Sequence, residues 1–118
     1  MVGSRDADIV FVQQWLCEHA SLIPASGIVT GDCPTGADNG ARNYADRFNV
    51  RIVVHKADWD GPLKKGAGPA RNTLIVNDCA SMIAFWDGIS RGTIDSITKA
   101  VKAGKMVRIV PVLKGKGK

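Results

Sequence analysis

Two glycine-bounded loops hold the side chains best suited to gripping an anion. The segment Asp87-Gly-Ile-Ser-Arg-Gly-Thr93 sets the hydroxyls of Ser90 and Thr93 and the guanidinium of Arg91 between Gly88 and Gly92, just ahead of a helical pattern. Hydroxyls, a guanidinium and the free amides of a helix start together describe a phosphate cradle. The segment Thr30-Gly-Asp-Cys-Pro-Thr-Gly-Ala-Asp38 precedes a second helical pattern and spaces Gly31 and Gly36 five residues apart. Its glycines let backbone approach a ligand, with Asp32, Thr35, Ala37 and Asp38 close by and the first helical amides turned into the gap. Thr35 with Asp38 three residues on also fits a capping box, a role compatible with ligand contact. Ala37-Asp38 stands where a Walker A loop needs Lys-Ser/Thr, and no G-x-G-x-x-G occurs, so an ATP-hydrolysing P-loop is excluded. A third, shorter loop is Gly3-Ser-Arg5.

Further groups lie near these loops. Asp32, Asp38, Asp58 and Asp87 are acids that serve either chemistry or turns and caps. Trp59 and Trp86 offer faces for stacking a base, or fill the core and a lid. His55, directly after a strand pattern, is an acid–base candidate or a structural residue.

The elements that must position these groups follow from periodicity. Ile9, Val12, Leu16 and Ala20 repeat at helical spacing behind Asp6 and Asp8, either of which fits as a cap, predicting a helix over 7–20. Ile28-Val29-Thr30 reads as a strand buried on both faces. A second helix follows with Ala37, Ala41, Tyr44, Ala45 and Phe48 inward. Residues 51–54 read as a strand, 56–68 as a polar loop, and Pro69 as the first residue of a helix carrying Leu74, Ile75 and Val76 to Asp78. Ser81–Phe85 is the next strand. A last helix spans 92–103 with Ile94, Ile97 and Val101 inward and Gly104 just past its end, before a closing strand over 106–112. This alternation predicts a Rossmann-like doubly wound parallel sheet, with its ligand site at the C-terminal edge of the strands.

Composition agrees with one small domain. The 118 residues, 45% hydrophobic and 23% charged, are enough for one core and too few for two. No run nears the roughly 20 apolar residues of a membrane span, and no basic start leads into an apolar stretch, so a cytoplasmic location without membrane contact is expected. Three separated cysteines suggest neither a disulfide framework nor a zinc site; no metal or cofactor is expected, and Cys17 and Cys79 read as buried apolar residues. The net charge of +5 is weighted towards Lys99–Lys118. The folded domain is expected over 1–113, and the basic tail 114–118 as a solvated segment with a weak nucleic-acid contact as its alternative role.

Taken in order, Gly3-Ser-Arg-Asp6, Gly31-Asp-Cys-Pro-Thr-Gly-Ala-Asp38, Ala57-Asp-Trp59, Ala67-Gly-Pro-Ala-Arg-Asn72 and Ala84-Phe-Trp-Asp-Gly-Ile-Ser-Arg-Gly-Thr93 resemble the cpYpsA-related branch of the SLOG superfamily. Members of this branch occur in bacteria and phages, and the superfamily includes LOG phosphoribohydrolases and the DNA-processing protein DprA. The resemblance implies a Rossmann-like fold binding nucleotides or their derivatives, with contacts from Gly3, Ser4, Arg5, Arg71 and Asn72 beside the two loops, and self-association.

LOG enzymes cleave a base from a nucleoside monophosphate with the motif Pro-Gly-Gly-x-Gly-Thr-x-x-Glu and an upstream arginine. Gly92-Thr93 matches the Gly-Thr and Arg71 the arginine, but Ser96 occupies the glutamate's place. Oxocarbenium charge needs a carboxylate, which serine lacks. Asp95 is adjacent, though one helical residue turns a side chain by about 100°. Arg71 and Asp95 are thus the catalytic candidates, and binding is expected ahead of hydrolysis. A third alternative is single-stranded nucleic-acid binding through the basic tail.

Overall fold

A computed structural model describes residues 1–4, 7–23, 27–57, 61 and 66–112. Arg5, Asp6, Asp58, Trp59, Leu113 and the tail 114–118 lie outside the described residues. The elements alternate as expected: β1 (Val2–Gly3), α1 (Ile9–Glu18), β2 (Ile28–Gly31), α2 (Gly36–Arg47), β3 (Ile52–His55), α3 (Ala67–Asp78), β4 (Ser81–Trp86), α4 (Arg91–Lys102) and β5 (Met106–Pro111), with a 3₁₀ turn at Ala20–Leu22.

All strand pairings among the described residues are parallel, in two ladders ordered β1-β4-β5 and β2-β3. Met1 joins them. Its main-chain nitrogen donates to the Val29 carbonyl at 2.5 Å, and its own carbonyl accepts from Thr30 Oγ1 at 2.8 Å. The spatial order is therefore β3-β2-β1-β4-β5, the Rossmann arrangement, with the strand order reversing between β1 and β4. Two residues suffice for β1 because Val2 and Gly3 register against Ala84 and Phe85 while Met1 bridges to β2.

Alternation along the strands feeds two cores. Met1, Ile28, Phe85 and Val110 pack with Val12 and Leu16 of α1 and Ala41 and Tyr44 of α2. Val2, Met82 and Ala84 pack with Ile75 and Val76 of α3 and Ile97 and Ala100 of α4. Helices α1 and α2 pack on each other, as do α3 and α4, one pair per sheet face. Phe85, at 0% exposure, is the largest fully buried side chain among the described residues, and truncating such a phenylalanine costs about 3–5 kcal/mol.

Of the two cap candidates, Asp8 caps α1, its carboxylate accepting the Val10 amide at 2.9 Å. Several other expectations need correction in detail. Pro69 is the third residue of α3, a position that tolerates proline equally because the first four helical amides lack intrahelical acceptors. Phe48 and Leu74 are about half exposed, and Cys17 is exposed. In α4 the buried ridge is Thr93, Ser96, Ile97 and Ala100, while Ile94 and Val101 face outward. Its end was legible: Gly104 N donates to Val101 O and Lys105 N to Ala100 O, a Schellman closure with the glycine at positive φ.

Candidate functional site

The site is assembled around the end of β1. Gly3 lies where any Cβ would collide with Ala37 of α2 and sit 2.8 Å from the Phe85 carbonyl, so a side chain there would push α2 off the sheet. Ser4 follows as a buried hub. Its amide donates to Phe85 O at 2.8 Å, its carbonyl accepts from Ala7 N at 3.1 Å and Ala37 N at 3.3 Å, and its Oγ accepts from Asp87 N at 3.2 Å. One residue thus ties together the loops after β1, β2 and β4.

The β2–α2 loop is gripped from within α2. Asp38, 8% exposed, accepts from Thr30 Oγ1 at 3.1 Å on one oxygen and from Cys33 N at 3.2 Å on the other. Arg42 donates to Gly31 O at 3.0 Å and Cys33 O at 2.7 Å. The capping box is therefore not formed: Thr35 occupies the N-cap position without a side-chain cap bond, because Asp38 is turned back to Thr30. Gly36 enters the helix at φ 67°, and Gly36, Ala37 and Asp38 are all buried. With the Ala37 amide given to Ser4, this helix start is largely closed.

Across the same edge runs a chain of polar side chains. Arg71 of α3 donates to Asp32 Oδ1 at 3.1 Å and to Asn72 Oδ1 at 3.0 Å. Its guanidinium lies where a Cβ on Gly31 would come within 2.5 Å of Nη1, so that glycine makes its path. Asn72, 6% exposed, donates through Nδ2 to Gly92 O at 3.2 Å and Asp95 Oδ2 at 3.1 Å. Lys99 closes the chain on Asp95 Oδ2 at 2.9 Å and Pro69 O at 2.7 Å. Arg71 and Asp95 are thereby brought to opposite sides of one asparagine, and Asp95 is shared between an amide and an ammonium. Ser96 is 1% exposed, with Oγ 3.4 Å from the Gly92 carbonyl.

The β4–α4 loop is shaped by Asp87 and Trp86. Asp87 Oδ1 accepts from Ile89 N at 2.9 Å and Ser90 N at 2.8 Å. Burial alone would raise its pKa, but these amides and the Ser4 hydroxyl outweigh burial and hold the carboxyl below its ordinary value. Trp86 Nε1 donates to Ser90 O at 3.1 Å, and the tryptophan packs against the α3/α4 core, so it holds the loop. Gly88 turns the chain at φ 89°. Thr93, buried, donates to Ser90 Oγ at 3.2 Å.

Beyond these bonds the start of α4 is open. Arg91, Gly92 and Thr93 are its first three residues, whose amides have no acceptor one turn earlier. A Cβ on Gly92 would meet nothing within 4 Å. Arg91 is exposed, and no ion pair engages it among the described residues.

His55, at the end of β3, is engaged by Asp78 at 2.5 Å. No cluster of metal-binding side chains occurs among the described residues, and none of their helices is long and apolar enough to cross a membrane. An open groove of about 590 Å³ lies elsewhere, between α1 and the end of α2, lined by Val10, Gln13, Cys17, Arg47 and Phe48 among others. Sequence reading missed the links through Asn72, Asp95 and Lys99. Their spacings join residues of different helices, and only Lys99 four residues after Asp95 carries a local signal.

The fold and this edge define a Rossmann-like α/β domain of the doubly wound class. No protein-family model matches the chain, and no solved structure matches it. The chain is 34% identical over 111 residues to the Gene 61 protein of Mycobacterium phage D29, with 88% of each chain covered. It belongs to the family of that phage protein.

Proposed function

We propose that the protein binds a nucleotide or nucleotide-derived phosphorylated ligand at the C-terminal edge of its sheet, for sensing or sequestration. The observation that carries this reading is the contrast between two helix starts. The one at α2 is closed by Ser4 and by burial, whereas the one at α4 presents open amides around Gly92 beside the exposed guanidinium of Arg91. Open amides at a positive dipole end with an adjacent guanidinium suit a phosphate. The motif series resembling the cpYpsA-related SLOG branch supports the same reading.

Hydrolysis of an N-glycosidic bond is the second reading, favoured by the Arg71–Asn72–Asp95 linkage. Binding stands ahead of it because Lys99 and Asn72 both draw on Asp95 Oδ2 and Ser96, buried, turns its hydroxyl back to the Gly92 carbonyl. A thermal-shift screen of nucleoside mono- and diphosphates and ADP-ribose, with chromatography of each mixture, tests both. Stabilisation with the compound recovered intact is expected. Release of free base supports hydrolysis, and no stabilisation by any compound refutes the reading. Single-stranded DNA binding through the tail predicts salt-sensitive retention that disappears when residues 114–118 are deleted. Self-association of the domain is read from its mass by light scattering.

A further inference from the structure

We infer that the groove between α1 and the end of α2 receives a second copy of this chain about a two-fold axis, with Glu18 of each copy meeting Arg47 of the other. Val10, Gln14 and Cys17 stand one helical turn apart on the outer face of α1, all exposed, and line the groove with Glu18. Arg47 and Phe48, at the end of α2, line it from the other side. Val10 is 61% and Phe48 48% exposed, so covering the groove removes apolar surface from water.

The charges identify the occupant. Among the described residues neither Glu18 nor Arg47 is in an ion pair, with each other or elsewhere. Arg47 holds its guanidinium over the Phe48 ring, 5.6 Å from the centroid. Glu18 ends α1, where a carboxylate opposes the helix dipole and no basic residue of the last turn offsets it. One acid and one base cancel, so the groove exerts no net pull on a polyanion such as nucleic acid. They are instead self-complementary. Rotation by 180° about an axis between them lays the acid of each copy on the base of the other, the pattern an isologous interface requires. Both carboxylates then gain a cation, and Val10 and Phe48 of both copies leave water in the same step. Glu18 and Arg47 are the last residues of their helices, so they lie at the side of the sheet opposite the C-terminal ends of its strands. Pairing there leaves the edge around Ser4 and Arg91 open and is independent of the nucleotide reading.

Light scattering of the full chain over a dilution series tests this, with a mass approaching twice 12.6 kDa expected at high concentration. Glu18→Arg and Arg47→Glu each set like charges together at two symmetric places, and each should raise the dissociation constant about tenfold or more. The variant carrying both substitutions reverses the pairs and should dimerise again. In the wild-type protein, alkylation of Cys17 by iodoacetamide should slow as the dimer forms, a readout that needs no variant. A wild-type chain that stays monomeric overturns the inference. So does a dimer that either single variant leaves undiminished, one that the combined variant fails to restore, or one that forms without slowing alkylation of Cys17.

Discussion

Ser4 Oγ accepts the Asp87 amide at 3.2 Å, joining the end of β1 to the end of β4 at the point where the strand order reverses. The carbonyl of the same serine accepts the Ala7 amide of its own loop and the Ala37 amide at the start of α2. A strand of two residues has few ladder bonds of its own, so this hub, together with Met1, keeps the centre of the sheet closed and its C-terminal edge shaped.

Ser4→Ala removes the acceptor of a partly buried amide and should cost about 1–3 kcal/mol. Urea unfolding measures it. Gly3→Ala, which forces α2 away from Phe85, should cost at least as much, since overpacking costs about 1–3 kcal/mol and occasionally more. Neutral effects at both positions would mean that β1 is not held as described.

Arg91 and Asn72 should separate binding from stability. Arg91→Ala, at an exposed residue without an ion pair, should leave the melting temperature within about 0.5 kcal/mol of equivalent stability while weakening the phosphorylated ligand about tenfold or more. Asn72→Ala removes the acceptor of Arg71 Nε and one of the two donors to Asp95 Oδ2, leaving Lys99 as the other, and should lower stability as well. Paired thermal melts and titrations of the two variants check this.

Asp87 gives a pH dependence of known sign. Its carboxyl is held below its unfolded value, so its contribution to stability is complete above the ordinary aspartate range and disappears as pH falls through the lower folded value. Melting temperatures taken from neutral to acid pH should fall more steeply for the wild type than for Asp87→Asn. Superimposable slopes would contradict the role of Asp87 in holding the β4–α4 loop.

Gly31 tests the path of Arg71. A methyl group there meets Nη1 at 2.5 Å and Asp38 Oδ2 at 2.7 Å. Gly31→Ala should displace the guanidinium from Asp32 and reduce nucleotide affinity, with a loss of stability from the disturbed Asp38. Affinity and urea midpoints of this variant, compared with those of Arg71→Ala, show whether both changes act through the same pair.

Much of the fold was legible because strands and helices announce themselves by different periods and by their ends, as at Gly104. The register of α4 was not: Thr93 and Ser96 form its buried ridge, and their hydroxyls are satisfied locally by Ser90 and Gly92, so polarity misdirected the choice towards Ile94 and Val101. The alternative of a capping box between Thr35 and Asp38 is not formed, because the partners of Asp38, Thr30 and Cys33, precede the helix and become neighbours only through the turn. The two glycine loops were visible as equals. Burial of the α2 start by Ser4, a residue more than thirty positions away, is a tertiary fact that local composition does not encode, and it leaves the α4 start as the open one.

The most direct measurement is a crystal structure of the protein with a stabilising nucleotide. Phosphate density at the start of α4, within hydrogen-bonding reach of Arg91 and the Gly92 amide, is the expected result. Phosphate density away from that edge, for instance in the groove beside Cys17 and Phe48, would contradict the account.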